Sequence, residues 1–191
     1  KKGAGEFFLG EFLITNNILL SDVDIIDLSP VEMTDQLANG QIDAMASFEP
    51  YPFNIEKALG SNAISWSAQG DQDTYALLYG TDEFIKKNQQ IIERYLRSLA
   101  QAEQYAKEYD AEARDIIAKI ANYDDSYIAY VWPKISFSLS LDQAMLLTLE
   151  YEARFSIANK LTDQTKVPNY LSFIYFDAMD KVKPEAITII R

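Results

Sequence analysis

The chain of 191 residues carries 29 acidic and 17 basic side chains, a net charge of −12, and neither His nor Cys. That charge excludes the basic stripes of nucleic-acid binding and attraction to anionic membranes. The missing residue types exclude Cys nucleophiles, Ser-His triads, His-ligated metals and zinc fingers.

The length admits one domain or two small lobes. An apolar content of 48% is ordinary for a globular protein. No apolar run reaches the roughly 18 residues of a membrane span. The simplest reading of the acidity is solubility. The absence of Cys is compatible with an oxidising compartment. No signal peptide is visible, which predicts that a targeting segment has been removed or that the chain is a fragment.

The opening KKGAGEFFLGEFL reads as a glycine turn running straight into a helix. Phe7, Phe8, Leu9, Phe12 and Leu13 form its apolar stripe, and Asn16-Asn17 stop it. DVDIIDLSP alternates and ends at Pro30, which predicts a strand. VEMTDQLANG predicts a short helix closed by Asn39-Gly40. IDAMASFEP predicts a second strand, YPFNIEKALG a helix ending at Gly60, and AISWSA a third strand. The first 68 residues thus read α-β-α-β-α-β with short connections, the rhythm of parallel βαβ units.

QGDQDTYALLYGT follows as loop, strand and turn. From Asp82 the character changes. NQQIIERYLRSLAQAEQYAKEYD predicts a long amphipathic helix. ARDIIAKIAN and SYIAYVWPKI predict two more, the second ended by Pro133. SFSLS alternates, and LDQAMLLTLEYEARFSIANKL predicts a helix with Asp142 in its first turn. The tail YLSFIYFDAMDKVKPEAITII reads as partly helical and broken near Pro184.

The stretches GAGEFFL, LANGQIDA, FEPY, YALLYGTDEFIKKN and KPEAITII, in that order, resemble the solute-binding proteins of bacterial ABC transporters. The likeness is to the nitrate/sulfonate/taurine group, which includes thiamine-precursor binders. It implies an α/β fold of the type II periplasmic-binding-protein kind, truncated at its N-terminus. Residues 1–75 would be a parallel-sheet lobe, the second of a clamshell. Residues 76–191 would be a helix-rich returning part of the first lobe. About a hundred residues and the leading strand would precede Lys1. The implied function is binding of a small polar or anionic ligand (sulfonate, nitrate or thiamine-precursor type) between two lobes for import. The implied partner is a permease, and the implied location is periplasmic or extracellular. Alternatives are the sensory domain of a receptor, or an enzyme like the pyrimidine synthases of this fold. The last uses a histidine and iron, which a chain without His does not favour. No cofactor, metal or catalytic residue is expected.

The expected ligand-binding residues fall in three places. Gly3, Ala4 and Gly5, with Glu6, begin a helix whose free N–H groups suit an anion, unless the glycines only make a turn. Glu6 would compete for those groups. Phe48, Glu49 and Tyr51 follow the end of an expected strand, where ligands of α/β sheets bind. There Glu49 would accept from an amine or amidine and the rings would stack. The alternative is a strand-to-helix corner with Pro at its first turn. Tyr75 and Gln72 sit near the lobe crossover, and Asp43 is expected to bond turn amides. Tyr123, Tyr127, Tyr130, Trp132, Phe173, Tyr175 and Phe176 read as helix packing. Any of them left uncovered would make an exposed patch and drive self-association.

Overall fold

Helices form wherever apolar residues recur at about 3.6-residue spacing between capping residues. The computed structural model describes residues 4–69 and 73–191. In chain order the helices are α1 (Ala4–Thr15), α2 (Pro30–Ala38), α3 (Tyr51–Leu59), α4 (Asp82–Lys87) and α5 (Gln89–Glu108). They continue with α6 (Asp110–Ala121), α7 (Asp125–Val131), α8 (Gln143–Ala158) and α9 (Asp177–Val182).

Most ends have local causes. Ser29 and Glu32 close a capping box on α2: the Glu32 N–H donates to Ser29 Oγ at 3.4 Å, and the Ser29 N–H to Glu32 Oε2 at 2.8 Å. Asp124 accepts from the Tyr127 N–H at 2.7 Å and starts α7. Asp142 does the same for α8 through the Met145 N–H at 2.8 Å. Asn122 ends α6 in the left-handed region, with φ 54°.

The parallel-sheet lobe expected of residues 1–75 is not formed. Among the described residues there is no strand, and one parallel bridge, Leu141 to Ile187, is the whole of the β-pairing. The α/β, type II periplasmic-binding-protein-like expectation is therefore overturned: the described chain is helical. The alternating segments 23–28, 42–47, 63–67 and 75–80 are neither helical nor paired in a ladder. Alternation favours extended backbone, as at Val23 (φ −129°, ψ 141°). A sheet also needs a neighbour to take the N–H and C=O groups, and no such ladder forms at these segments. Ile26, Ile64, Trp66, Leu77 and Leu78 consequently stay exposed.

Contacts divide the chain into two compact units: Lys1–Thr74 with Tyr151–Val167, and Tyr75–Glu150 with Pro168–Arg191. In the first unit, α2 packs on α3, and α1 packs on the second half of α8. Phe7, Leu13 and Ile55 are its buried apolar side chains among the described residues. The Phe7 ring meets Phe8, Tyr151 and Phe155 edge to face, at 5.1, 5.6 and 5.2 Å. Tyr151 also donates to Glu11 Oε2 at 2.6 Å.

Gly10 is required at this crossing, because a Cβ there would lie 2.4 Å from Cζ of Phe155. Gly10→Ala is expected to lower stability by about 1 kcal/mol. Overpacking of about 1–3 kcal/mol outweighs the helix propensity gained, about 1 kcal/mol. At Gly5 a Cβ meets nothing within 4 Å, so Gly5→Ala is expected to add several tenths of a kcal/mol. Urea midpoints of the two variants, moving in opposite directions, check this.

In the second unit, Leu96 of α5 packs on Ala178 and Met179 of α9, with Ile92, Leu99 and Leu139 around them. Met145 and Leu146 of α8 pack on Ile189, with Tyr75, Ile174 and Phe176. Tyr127 and Trp132 are buried, and Trp132 Nε1 donates to Asp110 Oδ1 at 2.6 Å. The bridge is made by the Leu141 N–H to Ala186 O and the Thr188 N–H to Leu141 O, both 3.0 Å. Arg191 forks onto Asp180 with bonds of 2.9 and 2.6 Å and stacks 4.1 Å from the Phe176 ring.

Candidate functional site

The loop from Ser47 to the start of α3 brings the most functional chemistry into one place. The Tyr51 N–H donates to Phe48 O at 3.2 Å, which turns the chain into α3. The Glu49–Pro50 peptide is cis. The turn sets the Phe48 and Tyr51 rings edge to face, 5.8 Å apart at 81°. Phe48 is 68% exposed. Glu49 lies between them in sequence and is half-buried. Its Oε2 accepts from the Phe53 N–H at 3.4 Å, a weak cap on α3. Its Oε1 has no protein partner among the described residues. The hydroxyl of Ser47, which precedes Phe48 in the chain, is buried and makes no hydrogen bond among the described residues. A buried hydroxyl without a partner costs on the order of 1–3 kcal/mol, so a polar group arriving there would be favoured.

The expected site residues therefore fall into separate groups. Phe48, Glu49 and Tyr51 stand together at the start of α3. Ala4 begins α1, followed by Gly5, exposed in its first turn, and half-buried Glu6. Gly3 and Gln72 lie outside the described residues. Tyr75 belongs to the second unit, where its hydroxyl donates to Asp142 Oδ1 at 3.1 Å and its ring joins the core around Met145. Asp43 is exposed and bonds no turn amide: the Gly40 and Gln41 N–H groups go to Leu37 O and Gln36 O of α2.

One ionisable cluster was not foreseen. Glu103 of α5 is 8% exposed, the buried charge among the described residues. Its Oε2 accepts from the Leu139 N–H at 3.0 Å and from Lys183 Nζ at 2.6 Å, and its Oε1 from Lys107 Nζ at 2.5 Å. Burial pushes its carboxyl up, but the Leu139 N–H, Lys107 and Lys183 together outweigh this and hold it down at about 2. The sequence did carry the signal. Glu103 lies seven residues after Leu96 and four after Leu99, on the buried stripe of α5. Elsewhere, burial pushes the Glu152 carboxyl up.

No group of three or more acidic side chains able to hold a metal ion occurs among the described residues. No described helix is long and apolar enough to cross a membrane. The model of the NMT1-like family matches residues 2–122, a span that runs from the start of the chain to the left-handed cap of α6. Comparison with curated proteins and with solved structures gave no match.

Proposed function

The chain belongs to the NMT1-like family, and from that premise we propose that it binds a small polar ligand at the start of α3. Family membership is consistent with a solute-binding role. The observation that carries the choice of place is one short turn, residues 47–51, that holds an unpartnered Ser47 hydroxyl, the Glu49 carboxylate and the exposed Phe48 ring. A carboxylate oxygen accepts only, so the complementary group is a donor: an amine or amidine. The rings suit a flat body attached to it. Among the classes suggested by the sequence, an aminopyrimidine thiamine precursor fits this chemistry directly. An amino-sulfonate fits with its amine at Glu49. Nitrate has no donor to offer. Import through a permease, from a periplasmic or extracellular location, is the accompanying proposal. It needs no covalent step.

The test is a thermal-shift and calorimetric panel of an aminopyrimidine, taurine and nitrate. A ligand at 100 times its Kd stabilises by about 2.7 kcal/mol, which in a chain of this size raises Tm by roughly 5–10 °C. Glu49→Gln removes the charge from the hydrogen bond and is expected to weaken binding by about 10- to 100-fold. The protein's own Tm should change little. Equal affinity in wild type and variant, or tightest binding of nitrate, would overturn this placement.

A further inference from the structure

The N–H groups at the start of an α-helix have no partner inside the helix. With the positive end of the helix dipole, they ordinarily make that end hospitable to an anion. At α3 the positions concerned are Pro50, Tyr51, Pro52 and Phe53. Pro50 and Pro52 have no N–H to offer. The Tyr51 N–H donates to Phe48 O at 3.2 Å. The Phe53 N–H donates to Glu49 Oε2 at 3.4 Å. The next amide, Asn54, makes the first bond of the helix itself, to Pro50 O at 3.0 Å. Each amide of this first turn is therefore either missing or engaged.

The chain supplies its own anion to this helix end. Glu49 Oε2 sits on the Phe53 N–H, and an arriving carboxylate or sulfonate would meet that like charge. The basic side chain of α3 is Lys57, whose Nζ lies over the Phe53 ring, 5.7 Å from its centroid. The Ser47 hydroxyl both donates and accepts, so it does not choose a sign. A cation fares differently. It pairs with the Glu49 carboxylate, and the exposed Phe48 ring offers a face that attracts positive charge.

Resting on the binding place argued above, we propose that the start of α3 selects its ligand by the sign of its charge. It takes a flat cation and refuses carboxylate, sulfonate and nitrate groups. Pro52 is a specificity-determining residue, because it withholds an amide that any other residue would supply to this turn. The acid group of an amino-sulfonate finds no donor in that first turn, so an amine without an acid group binds more tightly.

Three probes built on one ring separate the charges: benzamidinium, benzamide and benzoate. Each is titrated into the 191-residue chain, with the amide NMR shifts of residues 47–54 reporting the place. Benzamidinium is expected to bind at least roughly tenfold more tightly than benzamide, the gain of a charge-assisted bond. Benzoate is expected not to bind. Glu49→Ala combined with Pro52→Ala removes the built-in anion and opens the amides of positions 52 and 53. This double variant should prefer benzoate, while Pro52→Ala alone should narrow the gap. Helix content by circular dichroism should stay unchanged in both. Benzoate binding to wild type as tightly as benzamidinium overturns the charge selection and leaves the place standing. So does a double variant that fails to prefer benzoate. If no probe shifts residues 47–54 in any of the proteins, the place and the selection fall together.

Discussion

Glu103→Gln is expected to cost about 3–5 kcal/mol, the usual result of removing one partner from a buried ion pair. Lys183 is itself mostly buried, with its side chain 19% exposed, and would keep its charge without the carboxylate that offsets it. The Leu139 N–H would keep a weaker acceptor. Replacing both Glu103 and Lys183 by Met should recover most of the loss, because two apolar side chains of similar length need no charge partner. A double-mutant cycle in urea reads the coupling directly. If Lys183→Met costs the same with and without Glu103, the pair is not coupled and the argument fails.

The same carboxylate sets an acid dependence. Its pKa falls from an ordinary 4.5 to about 2 on folding. A depressed value means that the stabilisation is full above about pH 4.5 and is lost as pH falls towards 2. The amount is about 3 kcal/mol. Asp180, held down by its fork with Arg191, adds to the loss on the acid side. In the Glu103 and Lys183 double Met variant, the stability profile from pH 5 to 2 should be flatter than in wild type.

Phe7→Ala is the second large effect. Truncating a buried Phe typically costs about 3–5 kcal/mol, and each edge-to-face contact adds about 0.5–1.5 kcal/mol beyond area burial. Phe7 makes three such contacts. With only Leu13 and Ile55 as other buried apolar side chains among the described residues of that unit, the loss should unfold the first unit before the second. The two tryptophans separate the outcomes, since Trp66 lies in the first unit and Trp132 in the second. In a Trp66→Phe background, fluorescence reports Trp132 alone. Phe7→Ala should leave that transition in place while the helix signal at low urea falls. A shift of the Trp132 transition by the same amount would contradict separate units.

What could be read from sequence divides by range. The α-helices of the described residues follow from neighbours within four positions, so α1, α5 and α8 come from local spacing with their ends within a few residues. Asp142 was placed at the start of α8 for the same reason. The expected sheet does not form because alternation only prepares a strand. Whether Ile64 or Leu78 finds a ladder partner is a long-range question that spacing does not answer. At the candidate site, the grouping of Phe48, Glu49 and Tyr51 was legible from the corner motif FEPY. The partial capping role of Glu49 and the unpaired Ser47 hydroxyl were not, since both depend on how the turn closes. Tyr75 stands where the chain passes from the first unit to the second, and its bond to Asp142, 67 positions away, is out of reach of local spacing. Glu103 was missed although its spacing put it on the buried stripe, because its partners lie 36 and 80 positions away.

That last separation has a consequence during synthesis. The partner surface for α5 is α9, and the lysine that offsets Glu103 lies 80 residues downstream of it. At a ribosomal rate of about 5–20 residues per second, α5 waits roughly 4–16 s with Ile92, Leu96 and Leu99 uncovered and Glu103 without Lys183. Helix formation takes about a microsecond, so α5 forms at once and stays sticky long after. Over that interval the apolar face of α5 stays open, and a segment some 80 residues downstream completes its packing.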